Sequence, residues 1–312
     1  MLNVDSMPGV SLTGMSRKEW VERRVNSIGG SEIGAIMGFN KYKTPLQLYN
    51  EKLRITPYVD ISEKDAVYWG NVLEPIVANE FAKQTGKGIA ALDKIIMHPR
   101  YRYMTANIDR DVLNEDAGLE CKTASAYTAA DWAGEEIPES YILQCQWYMS
   151  VTGASNWFIA CLIGGQKFVW KPVERDEEII KLMENAAIDF WENHIQKRIP
   201  PVASAGDSRD FMVKYQDAVD LPEAADTMIS ELLAIKDDLD RQEENKKEIE
   251  ARVKQMLNGH TAGITNQYHI SWTQSICKKF NTALFKAENP ALAGNYMKEE
   301  KRDNGLRVKR VG

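Results

Sequence analysis

The sequence is poor in the residues that build disulfide frameworks and soft metal centres. It has four cysteines and four histidines in 312 residues, and both kinds are widely scattered. No two cysteines form a Cys-x-x-Cys pair, and no two histidines have the spacing of metal ligands on one helix. We therefore expect no disulfide framework and no zinc or iron–sulfur site, and this cysteine usage fits a reducing cytoplasm.

Long apolar runs are also missing. No stretch approaches the ~18–20 residues that a membrane span needs. The segment Met1–Ser16 lacks the charged start and long apolar run of a signal peptide. We therefore expect no membrane association and no secretion signal.

An excess of positive charge is missing from most of the chain, whose net charge is −6. Residues 201–258 carry 8 Lys and Arg against 14 Asp and Glu, whereas residues 259–312 carry 9 against 4. Such a basic tail either holds a phosphate backbone or is simply a solvated chain end. Its charges are concentrated in Lys298, Lys301, Arg302, Arg307, Lys309 and Arg310.

Two regions are predicted, and Pro200-Pro201 marks the boundary between them. The first, residues 1–200, alternates amphipathic and strand-like segments, which predicts an α/β fold with a small mixed sheet flanked by helices. Residues 1–15 are expected to be loose. Helices are predicted at 16–25, from N-cap Ser31, from Thr44-Pro45, and at 66–85, 139–151 and 176–197; strands are predicted at Lys94–Met97, Tyr103–Asp109, Gly118–Thr123, Trp157–Ile163 and Lys167–Val173.

The second region, residues 201–312, is predicted to be an extension. It contains a long charged helix over about 222–258 and then a small basic α/β tail, with short strands His269–Thr273 and Leu306–Val308 around a helix near Thr282–Lys286. The apolar stripe of the long helix is thin, which suits an arm that packs on a partner or on itself. The stripe consists of Met228, Ile229, Leu232, Leu239, Ile249, Val253 and Met256.

The residues that carry chemistry lie on a predicted hairpin. A strand ending at Asp109 turns back into a strand that holds Glu120 and Lys122. Residues two apart in a strand point to the same face, so Glu120 and Lys122 project together beside Asp109. Two carboxylates and the backbone carbonyl of Cys121 can bind Mg²⁺ through oxygen, and Lys122 can orient or help deprotonate an attacking water. By itself this spacing also fits two exposed strands joined by a salt bridge.

The surroundings of these residues favour a buried site. Met104, Ile108 and Leu119 are apolar, and charges in a buried strand are costly unless they are paired or bound to metal. Glu74 lies within the apolar stretch of the preceding helix. Gln144 lies in an apolar, aromatic helix, where its amide needs an assigned partner.

Four ordered motifs resemble those of the phage lambda exonuclease family, also called YqaJ-type viral recombinases. The resemblance covers about residues 17–195 and implies a restriction-endonuclease-like PD-(D/E)xK nuclease core. The motifs are Trp69-Gly70-Asn71-Val72-Leu73-Glu74, Asn107-Ile108-Asp109, Glu120-Cys121-Lys122 and Gln144-Cys145-Gln146-Trp147-Tyr148.

The resemblance implies a role for each matching residue. Asp109 and Glu120 would be the main Mg²⁺ ligands, and Mn²⁺ could substitute. Lys122 would act on the water, Glu74 would support a second metal or its waters, and Gln144 would position the nucleophile or a phosphate.

Upstream, Arg24 and Ser31 resemble the residues that grip a terminal 5′-phosphate. A guanidinium binds phosphate with two donors, and a helix N-terminus attracts anions. The simpler alternatives are a surface arginine and an ordinary N-cap serine.

The sequence departs from the family pattern at two places. Ile108 stands where the family usually has proline. The second phosphate-gripping arginine after the lysine has no counterpart in residues 123–130. Ser125, Thr128 or another basic residue takes its place, or the preference for a 5′-phosphate is weaker.

The resemblance implies a Mg²⁺-dependent 5′→3′ double-strand DNA exonuclease that leaves a 3′ single strand for an annealing protein in phage-type recombination. It also implies a homo-oligomer, a trimeric ring, encoded by a phage or prophage in a bacterial cell. One alternative is a metal-dependent endonuclease with the same site. The other is a non-catalytic DNA-binding or assembly protein, which is disfavoured because no acidic ligand and no lysine is missing.

Overall fold

The computed structural model of the protein describes residues 2, 4, 6–56, 61–208, 210, 211, 218–297 and 308. The chain divides into two compact units, Met1–Lys214 and Tyr215–Gly312. The boundary at residue 200 stays a prediction. No helix among these residues is long and apolar enough to cross a membrane.

The helices of the described residues begin and end close to the predicted positions, with two local differences. Ser16 caps the first helix and Thr44 caps the third, each through a capping box. Ser31 is not the N-cap of the second helix, because the helix already begins at Gly30. The helices are α1 (Arg17–Val25), α2 (Gly30–Ile36), α3 (Pro45–Lys52), α4 (Asp65–Thr85), α5 (Glu139–Thr152), α6 (Glu177–Asp189), α7 (Ala224–Leu257), α8 (Thr282–Glu288) and α9 (Pro290–Asn295).

The second difference is in the helix predicted over 176–197. It is α-helical as α6 and continues as a π-helical turn, Phe190–Gln196. The strands of the described residues are β1 (Gly9–Ser11), β2 (Ile28–Gly29), β3 (Ile89–Ala90), β4 (Lys94–Met97), β5 (Met104–Ala106), β6 (Arg110–Val112), β7 (Ala117–Ala124), β8 (Asn156–Ile163), β9 (Lys167–Glu174), β10 (Ala262–Ile264) and β11 (His269–Ser271).

A five-stranded mixed sheet carries the predicted site. Its strand order is β3-β6-β7-β8-β9, in which β6 and β7 form an antiparallel hairpin and β7 runs parallel to β8. The apolar side chains of α4, among them Val77 and Phe81, pack on this sheet against Leu119 and Phe158. The predicted fold class, α/β with small mixed sheets flanked by helices, is confirmed.

A second sheet has four strands in the order β1-β4-β5-β2. Two expectations are wrong here. Residues 9–11 are not loose, because β1 pairs with β4. The strand predicted over Tyr103–Asp109 is interrupted: β5 ends at Ala106 in this sheet, and the chain crosses to the five-stranded sheet before β6 begins at Arg110.

Helix α5 joins the two sheets. Its residues Leu143 to Val151 are buried, and the indole Nε1 of Trp147 donates to the carbonyl oxygen of Thr105 at 2.9 Å. A polar side chain such as Gln144 in this helix is therefore held in the interior, close to both sheets.

The second unit contains α7 and a small antiparallel pair of strands, β10 and β11, followed by α8 and α9. The predicted long helix, one tail strand and the tail helix are confirmed. Leu306–Val308 and the six basic tail residues fall outside the described residues, except for Val308 itself.

Candidate active site

The β6–β7 hairpin brings three of the predicted site residues together. Asp109 directly precedes β6, and its Oδ2 accepts a hydrogen bond of 2.7 Å from the backbone N–H of Cys121. Glu120 and Lys122 are two residues apart on β7, so they share a face. Lys122 Nζ donates to Glu120 Oε1 in an ion pair. Unlike in the expected arrangement, Asp109 lies directly before the first strand of the hairpin rather than at its end.

Gln144 reaches the same carboxylate from α5. Its Nε2 donates to Glu120 Oε1 at 2.7 Å and contacts Tyr148 Oη, also at 2.7 Å. Glu120 is 2 % exposed, and its second oxygen, Oε2, is buried without a hydrogen-bond partner among the described residues. A buried, unpartnered carboxylate oxygen is costly, so this atom has capacity for a ligand.

Glu74 of α4 lies at the edge of this group. Its Oε1 accepts from Arg110 Nη1 at 2.7 Å, and the same guanidinium nitrogen donates to the backbone oxygen of Asp109. The Arg110 guanidinium therefore already neutralises the carboxylate that was expected to support a second metal.

The local charges shift the pKa values of the group. Burial raises the pKa of Asp109 well above its ordinary value, and the charges of Glu120 and Glu74 raise it further. Burial alone would lower the pKa of Lys122, but the charges of Glu120 and Asp109 outweigh it and raise the pKa. Negative charge is thus in excess, and Lys122 is held as an ammonium ion.

The donor set fits a hard divalent cation. Among the described residues, no three Asp, Glu, His or Cys side chains already converge as a metal shell. Two carboxylates nevertheless lie side by side, Glu120 Oε2 lacks a partner among the described residues, and burial together with the charge of Glu120 raises the pKa of Asp109. Such a site favours an ion that takes oxygen ligands.

The predicted phosphate-gripping residues form a second cluster. Arg24 Nη2 donates to Ser31 Oγ at 3.2 Å, so the two side chains do meet. Beneath them lies Glu32, whose Oε2 is 2.7 Å from Lys52 Nζ and whose Oε1 is 3.5 Å from Arg24 Nε. The Lys52 side chain is 2 % exposed and the Arg24 side chain is 38 % exposed, so the buried pair supports a guanidinium that faces solvent.

One cleft of about 1880 Å³ contains both clusters. Its lining includes Arg24 and Ser31 as well as Asp109, Glu120 and Lys122. A smaller cavity of about 240 Å³ adjoins the carboxylates and is lined by Asn71, Glu74, Asp109, Glu120 and Lys122, among others.

Gly30 allows the two clusters to approach. A Cβ at this position would lie 2.7 Å from Tyr148 Cε1 and 3.2 Å from Gln144 Cγ. Glycine is therefore needed where α2 starts against α5, and it couples the position of Ser31 to that of Gln144.

Sequence reasoning missed Glu32, Lys52 and Arg110. Arg110 follows Asp109 directly, and Glu32 follows Ser31, so proximity along the chain could have indicated both. Lys52 gives no such signal, because it ends an ordinary amphipathic helix and its burial depends on tertiary packing.

The amino-acid sequence is similar to that of a known protein family. Residues 19–155 match a family described as the YqaJ-like viral recombinase domain. The uncharacterized protein YqaJ of Bacillus subtilis (strain 168) is 36 % identical over 294 residues, which cover 91 % of this chain and 92 % of that protein. The chain belongs to the YqaJ family of viral recombinases. The family resemblance inferred from the four motifs is thereby confirmed.

Two solved structures resemble this YqaJ-family protein more distantly. An alkaline exonuclease from Laribacter hongkongensis is 21 % identical with a TM-score of 0.49, covering 58 % of this chain and 95 % of its own. A phage-related exonuclease from Haemophilus somnus 129PT is 13 % identical with a TM-score of 0.41, covering 55 % and 96 %. At these TM-scores neither likeness bears on the activity of this protein.

Proposed function

We propose that this YqaJ-family protein is a Mg²⁺-dependent nuclease that degrades double-stranded DNA from a 5′ end and leaves a 3′ single strand for annealing in phage-type recombination. The observation that carries the proposal is that one cleft contains two clusters suited to ligands of opposite charge. Asp109 and Glu120 offer carboxylate oxygens for a cation, and Arg24 with Ser31 offers donors for an anion.

In this proposal Asp109, Glu120 and the backbone carbonyl of Cys121 hold the metal, and Mn²⁺ can replace Mg²⁺. When bound, the cation offsets the negative charge that develops on the phosphoryl oxygens. Glu74 joins the site only if it exchanges its ion pair with Arg110 for the metal or its waters.

The protein's own side chains carry the remaining steps. Lys122, held as an ammonium ion beside Glu120, orients the attacking water and shields the phosphate charge. Gln144 fixes the rotamer of Glu120 by donating to Oε1, which leaves Oε2 for the ligand. In this proposal Gln144 therefore positions the Glu120 carboxylate, in addition to its expected contact with the nucleophile or a phosphate.

Arg24 and Ser31 bind the terminal 5′-phosphate, and Glu32 and Lys52 position Arg24 from below. The missing second arginine is best replaced by another basic residue. Ser125 Oγ already accepts from the backbone N–H of Tyr127, and Thr128 Oγ1 donates to the carbonyl of Ser125, so both are engaged in a turn. Lys64 and Arg102 line the cleft, and so does Lys43, which pairs with Glu51.

The proposal is tested by digesting linear 5′-phosphorylated duplex DNA and closed-circular DNA with Mg²⁺. We expect wild type to degrade only the linear DNA and Lys122→Ala to be slower by about 10²–10³-fold, because a preorganised donor at the reacting phosphate is lost. Lys83→Ala, at an exposed position on α4, is the matched control and should retain full activity.

Other outcomes select other functions. Cleavage of the circle indicates the endonuclease with the same site. No Mg²⁺-dependent cleavage of either DNA overturns the nuclease and favours a DNA-binding or assembly protein. A trimeric ring and an annealing partner remain part of the proposal through the family resemblance.

A further inference from the structure

Helix α7 presents an apolar stripe along its 34 residues that is not covered within the described part of its unit. Five of its apolar side chains are more than half exposed, namely Met228, Ile235, Leu239, Ile249 and Met256. An exposed apolar stripe along a helix of this length marks a surface for another helix.

The stripe has the spacing of a coiled coil. Positions spaced alternately by four and three residues run from Met228 to Met256, about four heptads, and seven of these nine positions are apolar. This length matches the ~3–4 heptads that are typical of a coiled coil. Two central positions are polar, Gln242 and Lys246. Taking Leu239 as position a, the a positions are Leu232, Leu239, Lys246 and Val253, and the d positions are Met228, Ile235, Gln242, Ile249 and Met256.

We propose that α7 pairs with α7 of a second copy of this chain in an antiparallel two-stranded coiled coil. In an antiparallel pair, each a residue faces a d residue of the other helix. Placing Lys246 of one copy opposite Gln242 of the other puts the polar residues in two central layers, where the amide oxygen of Gln242 can accept from the ammonium group. A polar residue at such a position fixes the register of a coiled coil.

This register leaves every other layer apolar. The layers on each side of the centre are Leu239 with Ile249, Val253 with Ile235, and Leu232 with Met256 of the second copy.

The charges beside the stripe complement one another in the same register. Asp238 faces Arg252 of the second copy at the g positions, and Lys236 faces Glu250 of the second copy at the e positions. By symmetry each pair occurs twice, so four ion pairs flank the dimer. Asp238 and Arg252 are more than half exposed, and each now makes only a long intrahelical ion pair, of 3.4 and 3.9 Å, which leaves them able to re-pair.

The parallel arrangement is unfavourable for the same residues. Lys246 would face Lys246 of the second copy in the interior of the pair. Asp238 would lie beside Glu243 of the second copy, which repels it, and only Glu231 with Lys236 would attract. The antiparallel arrangement keeps one unfavourable contact, between the two Glu243 side chains at its centre, where each Lys246 lies nearby.

The first test is the mass of the full-length protein in solution, measured by light scattering after size-exclusion chromatography. We expect Leu239→Glu to halve the mass of the wild-type particle, because a charge enters the apolar seam. Ala251→Glu adds the same charge at an exposed position on the opposite face of α7 and should leave the mass unchanged. Circular dichroism should show equal helix content in both variants and wild type.

The second test distinguishes the orientation by charge reversal. Lys236→Glu should weaken the dimer about tenfold, because two attractive pairs become repulsive. Adding Glu250→Lys should restore the wild-type dissociation constant if the helices are antiparallel, and adding Glu231→Lys should not.

Three results would overturn the inference. They are a wild-type protein that does not self-associate, a particle mass that Leu239→Glu leaves unchanged, and rescue by Glu231→Lys instead of Glu250→Lys. A stripe that binds a different protein gives the second of these results, because a particle held together through another surface, such as a ring, keeps its mass in Leu239→Glu. None of these measurements depends on DNA cleavage, so the nuclease proposal stands or falls separately.

Discussion

In one cluster of the cleft, both carboxylate oxygens of Glu32 face cations, whereas in the other Glu120 keeps one oxygen buried and without a hydrogen-bond partner among the described residues. The two acids are similarly buried, at 4 % and 2 % exposure. The pKa of Glu32 shows the effect of these neighbouring cations. Burial alone would raise this pKa, but the charges of Lys52 and Arg24 lower it. Near Glu120, the pKa of Asp109 is raised instead. The first cluster, Arg24, Ser31, Glu32 and Lys52, is electrostatically complete and offers a guanidinium to an anion; we call it the closed cluster. The second cluster, Asp109, Glu120, Lys122 and Gln144, keeps an excess of negative charge although Lys122 pairs with Glu120; we call it the open cluster.

We expect the largest difference between the two clusters in metal binding, when Glu120 is changed. We expect Glu120→Gln to weaken Mn²⁺ binding by more than about 100-fold, since it removes one charge and one ligand oxygen from the open cluster. Titration calorimetry measures this directly. Glu32→Gln combined with Lys52→Met removes a buried carboxylate from the closed cluster without leaving Lys52 unpaired, and should leave Mn²⁺ binding unchanged. Equal loss in both variants would mean that the two clusters do not differ in the way described.

The closed cluster is tested through its effect on Arg24. Glu32→Gln should lower the ratio of cleavage rates on 5′-phosphoryl and 5′-hydroxyl duplex ends about tenfold, because the guanidinium loses its buried anchor. Lys52 is then left unpaired, which can unfold the protein. The double variant Glu32→Gln with Lys52→Met removes that charge and serves as the second variant.

A purely structural role for Glu32 predicts a different result. The rates on both kinds of end would then fall together, and their ratio would stay at the wild-type value.

The smallest effect is on the stability of the metal-free protein. Because the pKa of Asp109 is raised on folding, ionising this carboxyl costs stability as the pH rises from its unfolded pKa of about 3.9 through its folded pKa. At pH 8, Asp109→Asn should therefore be more stable than wild type by on the order of 1 kcal/mol, or ~2–4 °C in Tm. The difference should disappear toward pH 4.

Thermal denaturation with a chelator, measured across this pH range, checks the expectation. Asp237→Asn on the exposed face of α7 should show no such trend. A lower Tm for Asp109→Asn at pH 8 would show that Asp109 stabilises the fold as an anion without any cation.

The open cluster could be predicted from the sequence because its members lie close together on one hairpin. Strand periodicity places Glu120 and Lys122 on one face, and an amide in an apolar helix, Gln144, signals a specific partner. The crossing of the chain between two sheets just before Asp109 could not be predicted, because a short apolar segment reads equally well as one continuous strand.

The closed cluster was only half predictable. The sequence predicts Arg24 and Ser31 as phosphate-binding residues, but it also predicts Ser31 as an N-cap, since serine is strongly preferred there. In the structure the carboxylate of Glu32 accepts from the backbone N–H of Gly29 at 3.0 Å, and the helix starts before Ser31. Lys52 was missed because local sequence does not determine which end of an amphipathic helix is buried.

The parallel pairing of strands has a consequence for the newly made protein. The strand that holds Glu120 and Lys122 pairs in register with residues 156–163, and Ile28 beside the arginine cluster pairs with Met104. Neither pairing is local, so neither can form until the later strand has left the ribosome. The cleft is therefore assembled only after residue 163 has emerged, and a partly synthesised chain shorter than this lacks the parallel neighbour of the strand that holds Glu120 and Lys122.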